Sequence, residues 1–167
     1  MTNGRIFHSS FVISFHLFTH DYWMRQALIE AAKAFELDEV PIGCVIVQDE
    51  RIIAKGHNLT EQLKDATAHA EMMAITSASA ALESRYLTDT TLYATIEPCP
   101  MCAGAIVLAR IPRLVFGAYD IKAGACGTLY NIPQDTRLNH QVKIIPGVLD
   151  KECAALMQEY FRKQRNV

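Results

Sequence analysis

The residues of this chain best suited to chemistry fall in two short stretches, TAHAEMM around His69 and EPCPMCAGA around Cys99. His69 and Glu71 stand two apart at the head of AHAEMMAITSASAAL, an Ala-rich segment that reads as a helix. Residues i and i+2 of a helix point about 200° apart, so this pair cannot serve one helix face. They must converge on something at the helix end. Cys99 and Cys102 stand three apart at the start of PMCAGAIVLAR, a spacing that brings both sulfurs to one side of a helix. Pro98 and Pro100 stiffen the entry to that helix. A helix N-terminus carries partial positive charge, which favours thiolate over thiol. One imidazole beside two thiolates is a set that zinc accepts.

Three protein ligands leave a tetrahedral ion one open position, the mark of a catalytic rather than a structural site. Water held there can lose a proton near neutral pH and become a hydroxide nucleophile. Glu71, just past the histidine, can reach such a water without touching the metal and move its proton. A closed structural site needs a fourth ligand. Cys126 or His140 could supply one, although neither has paired-ligand spacing. A C-x-x-C or a single histidine is commonplace alone. H-x-E followed by P-C-x-x-C, with a strand between, is a specific signal.

Both stretches must be held by the rest of the chain. Its 167 residues suffice for one domain that buries roughly 70% of its unfolded surface. A formal charge of −2 gives no global attraction to polyanions, so nucleic-acid binding would rest on local patches. Five cysteines, an odd number with one C-x-x-C, argue for reduced thiols and a cytoplasmic protein rather than a disulfide framework. Cys44 and Cys153 read as core thiols. The spacing of Met24, Ala27, Leu28, Ala31 and Phe35 predicts a first helix. GCVIVQ and RIIAKGHN read as a hairpin around Asp49-Glu50. Thr67 is the expected N-cap of the helical segment AHAEMMAITSASAAL. TLYATI and RLVFGA read as strands, VKIIPGV as a short fifth strand, and DKECAALMQEYFRKQR as a closing helix. PMCAGAIVLARI is apolar nearly all round, which predicts burial on every side. Strands alternating with helices imply an α/β fold with both sheet faces covered, a three-layer α/β/α sandwich.

The first 18 residues, MTNGRIFHSSFVISFHLF, stand apart and hold four of the seven phenylalanines. His8, Ser9, Ser10, Ser14 and His16 interrupt the apolar run, which argues against a membrane span. No small-residue cleavage site follows, which argues against a signal peptide. Phe7, Phe11, Phe15 and Phe18 suit a helical stripe, while FVISFHLF half-suits a strand. Residues 1–18 are read as an N-terminal extension, frayed or laid on the surface, before a domain over 19–167.

H-x-E with P-C-x-x-C is the signature of the zinc-dependent nucleoside and nucleobase deaminases, which this chain resembles. Within them it is most similar to the bacterial tRNA adenosine deaminases of the TadA type. That resemblance runs from about His20 to Arg165, through DYWMRQAL, EVPIGCVIV, TAHAEMMAI, TLYATIEPCPMCAGAIVLARI, VFGAYDIKAGACGTL and ECAALMQEYFRKQR.

The resemblance implies a cytidine-deaminase-like α/β/α sandwich with a central mixed five-stranded sheet. It implies hydrolytic deamination of adenosine to inosine at the wobble position of a tRNA anticodon. One Zn2+ per subunit would be held by His69, Cys99 and Cys102, with Glu71 as the proton shuttle of a zinc-bound hydroxide. Asn58 of GHNLT matches a residue that hydrogen-bonds the target base, Val40 and Pro41 match pocket residues, and Asp120 matches a position near the RNA path. Relatives form a homodimer through the PMCAGAIVLARI helix, and the same is expected here.

Read without the resemblance, Asn58 is a turn residue closing a strand, and Val40 and Pro41 are a strand entry. Arg162, Lys163 and Arg165 behind Tyr160 and Phe161 could offer phosphate contacts and a stacking surface. They could equally form a solvated helix end with Phe161 in the core. Tyr119 stands where relatives often show arginine, and Ala66 where a proline is common. Both departures concern substrate contacts rather than the zinc. Two other functions compete: a deaminase of a small nucleobase or nucleotide (guanine, cytosine or dCMP), and a zinc-stabilised RNA-binding module without catalysis.

Overall fold

The computed structural model describes residues 18–165. The reading of the N-terminal extension therefore lies outside the described residues, apart from Phe18, whose ring stacks on Tyr22 at 4.4 Å. The chain opens with helix α1, His20–Glu36, capped by Thr19, whose hydroxyl accepts from the Tyr22 N–H at 3.3 Å. Its buried stripe is Trp23, Met24, Ala27, Ala31 and Ala34. The predicted Leu28 and Phe35 lie at the half-buried margin, because Trp23 claims the sheet-facing side of the first turn.

Strands β1, Gly43–Gln48, and β2, Arg51–His57, form the predicted hairpin. Asp49 and Glu50 both take positive φ, 48° and 56°, the twist a two-residue hairpin turn requires. The short helix α2 is Thr60–Leu63, and α3 is Ala70–Ala81. Strand β3, Thr91–Ile96, leads into helix α4, Pro100–Leu108, and then β4, Arg113–Ala118. Strand β5, Lys143–Ile145, precedes the closing helix α5, Asp150–Arg165.

The strands form one sheet in the order β2-β1-β3-β4-β5. β1 runs antiparallel to both neighbours, while β3, β4 and β5 are mutually parallel, so the sheet is mixed as the resemblance implied. Alternate residues of β1 divide between the faces. Cys44 and Ile46 pack with Leu92, Phe116, Ala74 and Ile106 beneath α3 and α4. Val45 and Val47 pack with Tyr93, Val115, Met24 and Cys153 beneath α1 and α5. The result is the three-layer α/β/α sandwich. Cys44 and Cys153 are the core thiols expected of them, one in each layer.

Gly56 determines how closely α3 approaches the sheet. A Cβ there would collide with the Ala70 carbonyl oxygen and the Ala74 nitrogen, so the first turn of α3 rests directly on β2. α4 departs from expectation. It was predicted to be buried on every side and to reach Arg110, yet it ends at Leu108, and Arg110 takes φ 59°. Leu108 is 76% exposed, and Met101, Gly104 and Ala105 are only half-buried. α3 and the sheet cover one side of α4, the segment around Ile132 lies against another, and Leu108 stays exposed among the described residues. No described helix is long and apolar enough to cross a membrane.

Candidate active site

The N-termini of α3 and α4 meet near the end of β3. His69 is the N-cap of α3 and Cys99 the N-cap of α4, both with extended backbone and neither with a side-chain cap bond. Caps are ordinarily Ser, Thr, Asp or Asn, whose oxygens accept from the first turn. Here the cap side chains turn toward each other instead. Thr67, predicted as the cap, donates both its N–H and its hydroxyl to Asp65 Oδ1, at 2.8 and 2.7 Å. The helix thus starts at Ala70, three residues later than Thr67. That shift resolves the i, i+2 conflict: His69 is not helical, so it can point across to the cysteines while Glu71 sits in the first turn.

His69 Nδ1 lies 3.6 Å from both Cys99 Sγ and Cys102 Sγ. Ligands at about 2.0 and 2.3 Å from a tetrahedral zinc stand about 3.5 Å apart, so the nitrogen and sulfurs are already spaced for that ion. The group of three could hold a metal, its ligand atoms all within 4.8 Å of one another. Cys126 and His140 do not join it. The Cys126 thiol lies 3.9 Å from the Pro98 carbonyl oxygen, and His140 Nε2 sits 2.8 Å from the Ile111 carbonyl oxygen. Among the described residues the fourth position is open.

Without an ion, the sulfurs share their protons unequally. A bond from the Cys102 thiol, helped by His69, holds Cys99 down to about 4. Cys102 moves up, because it donates to Cys99 and is buried. The Cys99 thiolate in turn raises His69. Glu71 is 3% exposed, and burial raises its pKa. Its Oε2 is buried with no hydrogen-bond partner, the one such side-chain atom among the described residues. A buried polar atom left unmatched costs free energy, and a solvent or substrate atom at the open corner would relieve that cost.

The other predicted residues fall as follows. Asn58 closes β2 and is buried, its N–H bonded to the Ile42 carbonyl at 3.1 Å. Its Nδ2 donates to Glu39 Oε2 at 3.2 Å and to Thr60 Oγ1 at 3.1 Å. Pro41 is buried and Val40 half-buried in the same entry loop. Asp120 follows β4 and accepts at Oδ1 from the N–H groups of Lys122 and Ala123, at 2.8 and 3.1 Å, so its carboxylate shapes the loop. On α5, Tyr160 is buried and donates to the Asp38 carbonyl at 3.0 Å, whereas Phe161, placed in the core by the simpler reading, is 46% exposed. Lys163 pairs with Asp38 at 2.8 Å.

Three buried carboxylates were missed, Glu30, Glu39 and Glu97. Glu39 of EVPIG stands two residues before a proline and Glu97 of IEPC immediately before one, and each borders an apolar run. An acidic side chain in such a run has no exposed face to occupy, which is the signal that could have found them. Glu97 Oε1 accepts from the N–H groups of Cys126 and Thr128, each at 3.0 Å, and Oε2 accepts from the Thr128 hydroxyl.

A family model described as MafB19-like deaminase matches residues 18–165. The tRNA-specific adenosine deaminase of Bacillus subtilis (strain 168) is 49% identical over 145 residues, covering 87% of this chain and 90% of that protein. The tRNA-specific adenosine deaminase of Streptococcus pyogenes serotype M18 is 51% identical over 144 residues, covering 86% of this chain and 91% of its own. A structure solved in studies of A-to-I editing by tRNA:A34 deaminases at the wobble position superposes with a TM-score of 0.78 at 44% identity, covering 80% of this chain and 97% of that one. With half its residues shared over nearly the whole length of such relatives, this chain belongs to the family of tRNA-specific adenosine deaminases.

Proposed function

We propose that this protein hydrolyses adenosine to inosine at the wobble position of a tRNA anticodon, releasing ammonia. One observation carries the reading: the metal-type group of His69, Cys99 and Cys102 stands with Glu71, whose Oε2 is buried without a hydrogen-bond partner. His69, Cys99 and Cys102 would hold zinc, whose Lewis acidity brings a water into reach of deprotonation at neutral pH.

Glu71 takes the water proton and delivers it to N1 of the base, which prepares C6 for attack. It then carries a second proton to the departing amino group. Burial suits it to both tasks, because it raises the carboxyl's pKa and so lets the side chain hold a proton more readily than an exposed glutamate. Asn58 hydrogen-bonds the substrate at the end of β2, with Val40 and Pro41 beside it. The loop through Asp120 lies on the RNA side. A target base must leave its stack to reach such a pocket, and an anticodon loop permits that more cheaply than a duplex.

Arg162 and Arg165 at the exposed end of α5 are the cations available for phosphate contact there, since Lys163 is paired with Asp38. The uncovered side of α4, with Leu108 and a cavity of about 410 Å3 lined by Gly104, Ile132 and Leu138, supports a homodimer. A tRNA substrate would place the protein in the cytoplasm. Purified zinc-loaded protein, given an anticodon stem-loop with adenosine at the wobble position, should form inosine. Free adenosine, guanine and cytosine run in parallel should remain unchanged. Turnover of a free base without the stem-loop would overturn the reading.

A further inference from the structure

Glu39 is fully buried, 0% exposed, within the loop between α1 and β1. Ionised carboxylates in that position cost several kcal/mol unless each oxygen is matched. Both are. Oε1 accepts from the Gln62 N–H at 2.7 Å, and Oε2 accepts from Asn58 Nδ2 and from the Thr60 hydroxyl, each at 3.2 Å. Burial opposes its charge, yet these bonds hold its pKa below the ordinary value of 4.5. Thr60 closes a triangle, accepting from Asn58 at 3.1 Å while donating to Glu39.

A fold that needed only to fill this space could build the whole cluster from apolar side chains at little cost in stability. A carboxylate does something an apolar group cannot. The two ends of an asparagine amide have nearly one shape and opposite hydrogen-bonding character. With the nitrogen toward Glu39, every group in the triangle is matched. Turned over, the amide would set Oδ1 against a carboxylate oxygen. Glu39 accepts only, so it decides which way Asn58 faces.

We propose that Glu39 is a positioning residue, which locks the Asn58 amide in one orientation at the substrate pocket and acts on turnover through it. This inference rests on the reading of Asn58 as a substrate contact. Glu39 lies 19 residues from Asn58 in sequence and need not touch the substrate.

The test is a double-mutant cycle of Glu39→Gln and Asn58→Ala, measuring kcat and KM for the stem-loop per bound zinc. Glutamine keeps the shape but sets an amide N–H2 where an acceptor stood. Glu39→Gln should lower kcat/KM about tenfold to a hundredfold, the cost of misplacing a substrate contact, and mostly through kcat. In the Asn58→Ala background the same substitution should change kcat/KM less than about twofold, because the pair acts as a unit. Equal losses in both backgrounds would overturn the proposal, since a merely structural residue acts regardless of its neighbour.

A second measurement needs no activity. The Asn58 side-chain amide protons, identified by their loss in Asn58→Ala, should exchange with water at least about tenfold faster in Glu39→Gln than in the wild type. Unchanged exchange would overturn the proposal. Should the wild type form no inosine, the proposed function fails, and the exchange experiment still decides Glu39. If Glu39→Gln does not accumulate folded, Thr60→Val opens the same triangle and is judged by the same cycle.

Discussion

The backbone N–H of Asp120 donates to Glu97 Oε2 at 3.2 Å, across 23 residues of sequence. Glu97 stands immediately before Pro98 and Cys99, so one buried carboxylate ties the metal-side turn to the glycine-rich loop after β4. The loop owes its shape to that anchor, because the N–H groups of Asp120, Cys126 and Thr128 all converge on it. Glu97→Gln should cost on the order of 3 kcal/mol, as an amide cannot accept at both ends. Gly124→Ala should destabilise in the same direction, since its Cβ would meet the Glu97 carboxylate and the Asp120 carbonyl. Urea unfolding of zinc-loaded protein measures both. A Glu97→Gln midpoint matching the wild type would show that the loop stands without its anchor.

Glu71→Ala separates binding from turnover. The proposed ligand atoms are those of His69, Cys99 and Cys102 and exclude Glu71, so metal content should stay at the wild-type level. Inosine formation should fall by roughly a factor of 10² to 10⁴, the usual worth of a positioned proton carrier. Elemental analysis and a stem-loop assay on one preparation read both quantities. Wild-type turnover in this variant would leave a binding module as the better description.

Removing zinc with a chelator should abolish turnover and leave the sheet standing. Neither hydrophobic layer counts His69, Cys99 or Cys102 among its members. Far-ultraviolet circular dichroism should change little. The melting temperature should fall, since ion at about a thousand times its Kd stabilises by about 4 kcal/mol. Cys102→Ala should lose the zinc-dependent shift. An apoprotein with random-coil dichroism would contradict the account of the core.

Glu39 predicts a pH dependence of stability. Its carboxyl is held below the ordinary 4.5 in the folded protein, so the native state favours the charged form. Its stabilising contribution is therefore complete above that ordinary value and disappears as pH falls through the lower, folded one. Glu39→Gln should be less stable than the wild type at pH 7, and the two should converge as the pH drops below 4.5. Denaturant unfolding across an acid series checks this. A difference that widened toward acid would reverse the sign and refute it.

Leu108 tests the proposed homodimer. It is 76% exposed on α4, beside Ile132 and Leu138, and a charged side chain there would have to be desolvated in any two-fold contact. Leu108→Glu should shift the sedimenting species from two chains to one without lowering the melting temperature of the isolated chain. Unaltered sedimentation would place the interface elsewhere.

The metal-type residues were legible in the linear sequence because their meaning is local. C-x-x-C at a helix start brings two sulfurs together through helical geometry alone, and His69 with Glu71 marks another helix start. The hairpin, the strands and the two-sided sheet follow from periodicity in the same way. Thr67 misled because a hydroxyl at that spacing is the ordinary cap, and only the folded backbone shows Asp65 accepting its bonds.

Other features have no local sign. The side chain of Glu39 meets Asn58, and that of Glu97 meets the Asp120 backbone, at sequence separations of 19 and 23. An acidic residue read along the chain belongs by default to the solvent. Whether α4 is wrapped or bare likewise depends on which elements reach it, and its composition is apolar either way. Local spacing and donor chemistry therefore marked the residues that could hold an ion or move a proton. The partners of its buried carboxylates were decided only when distant segments packed, because a hydrogen bond in a dry interior is chosen by proximity in space.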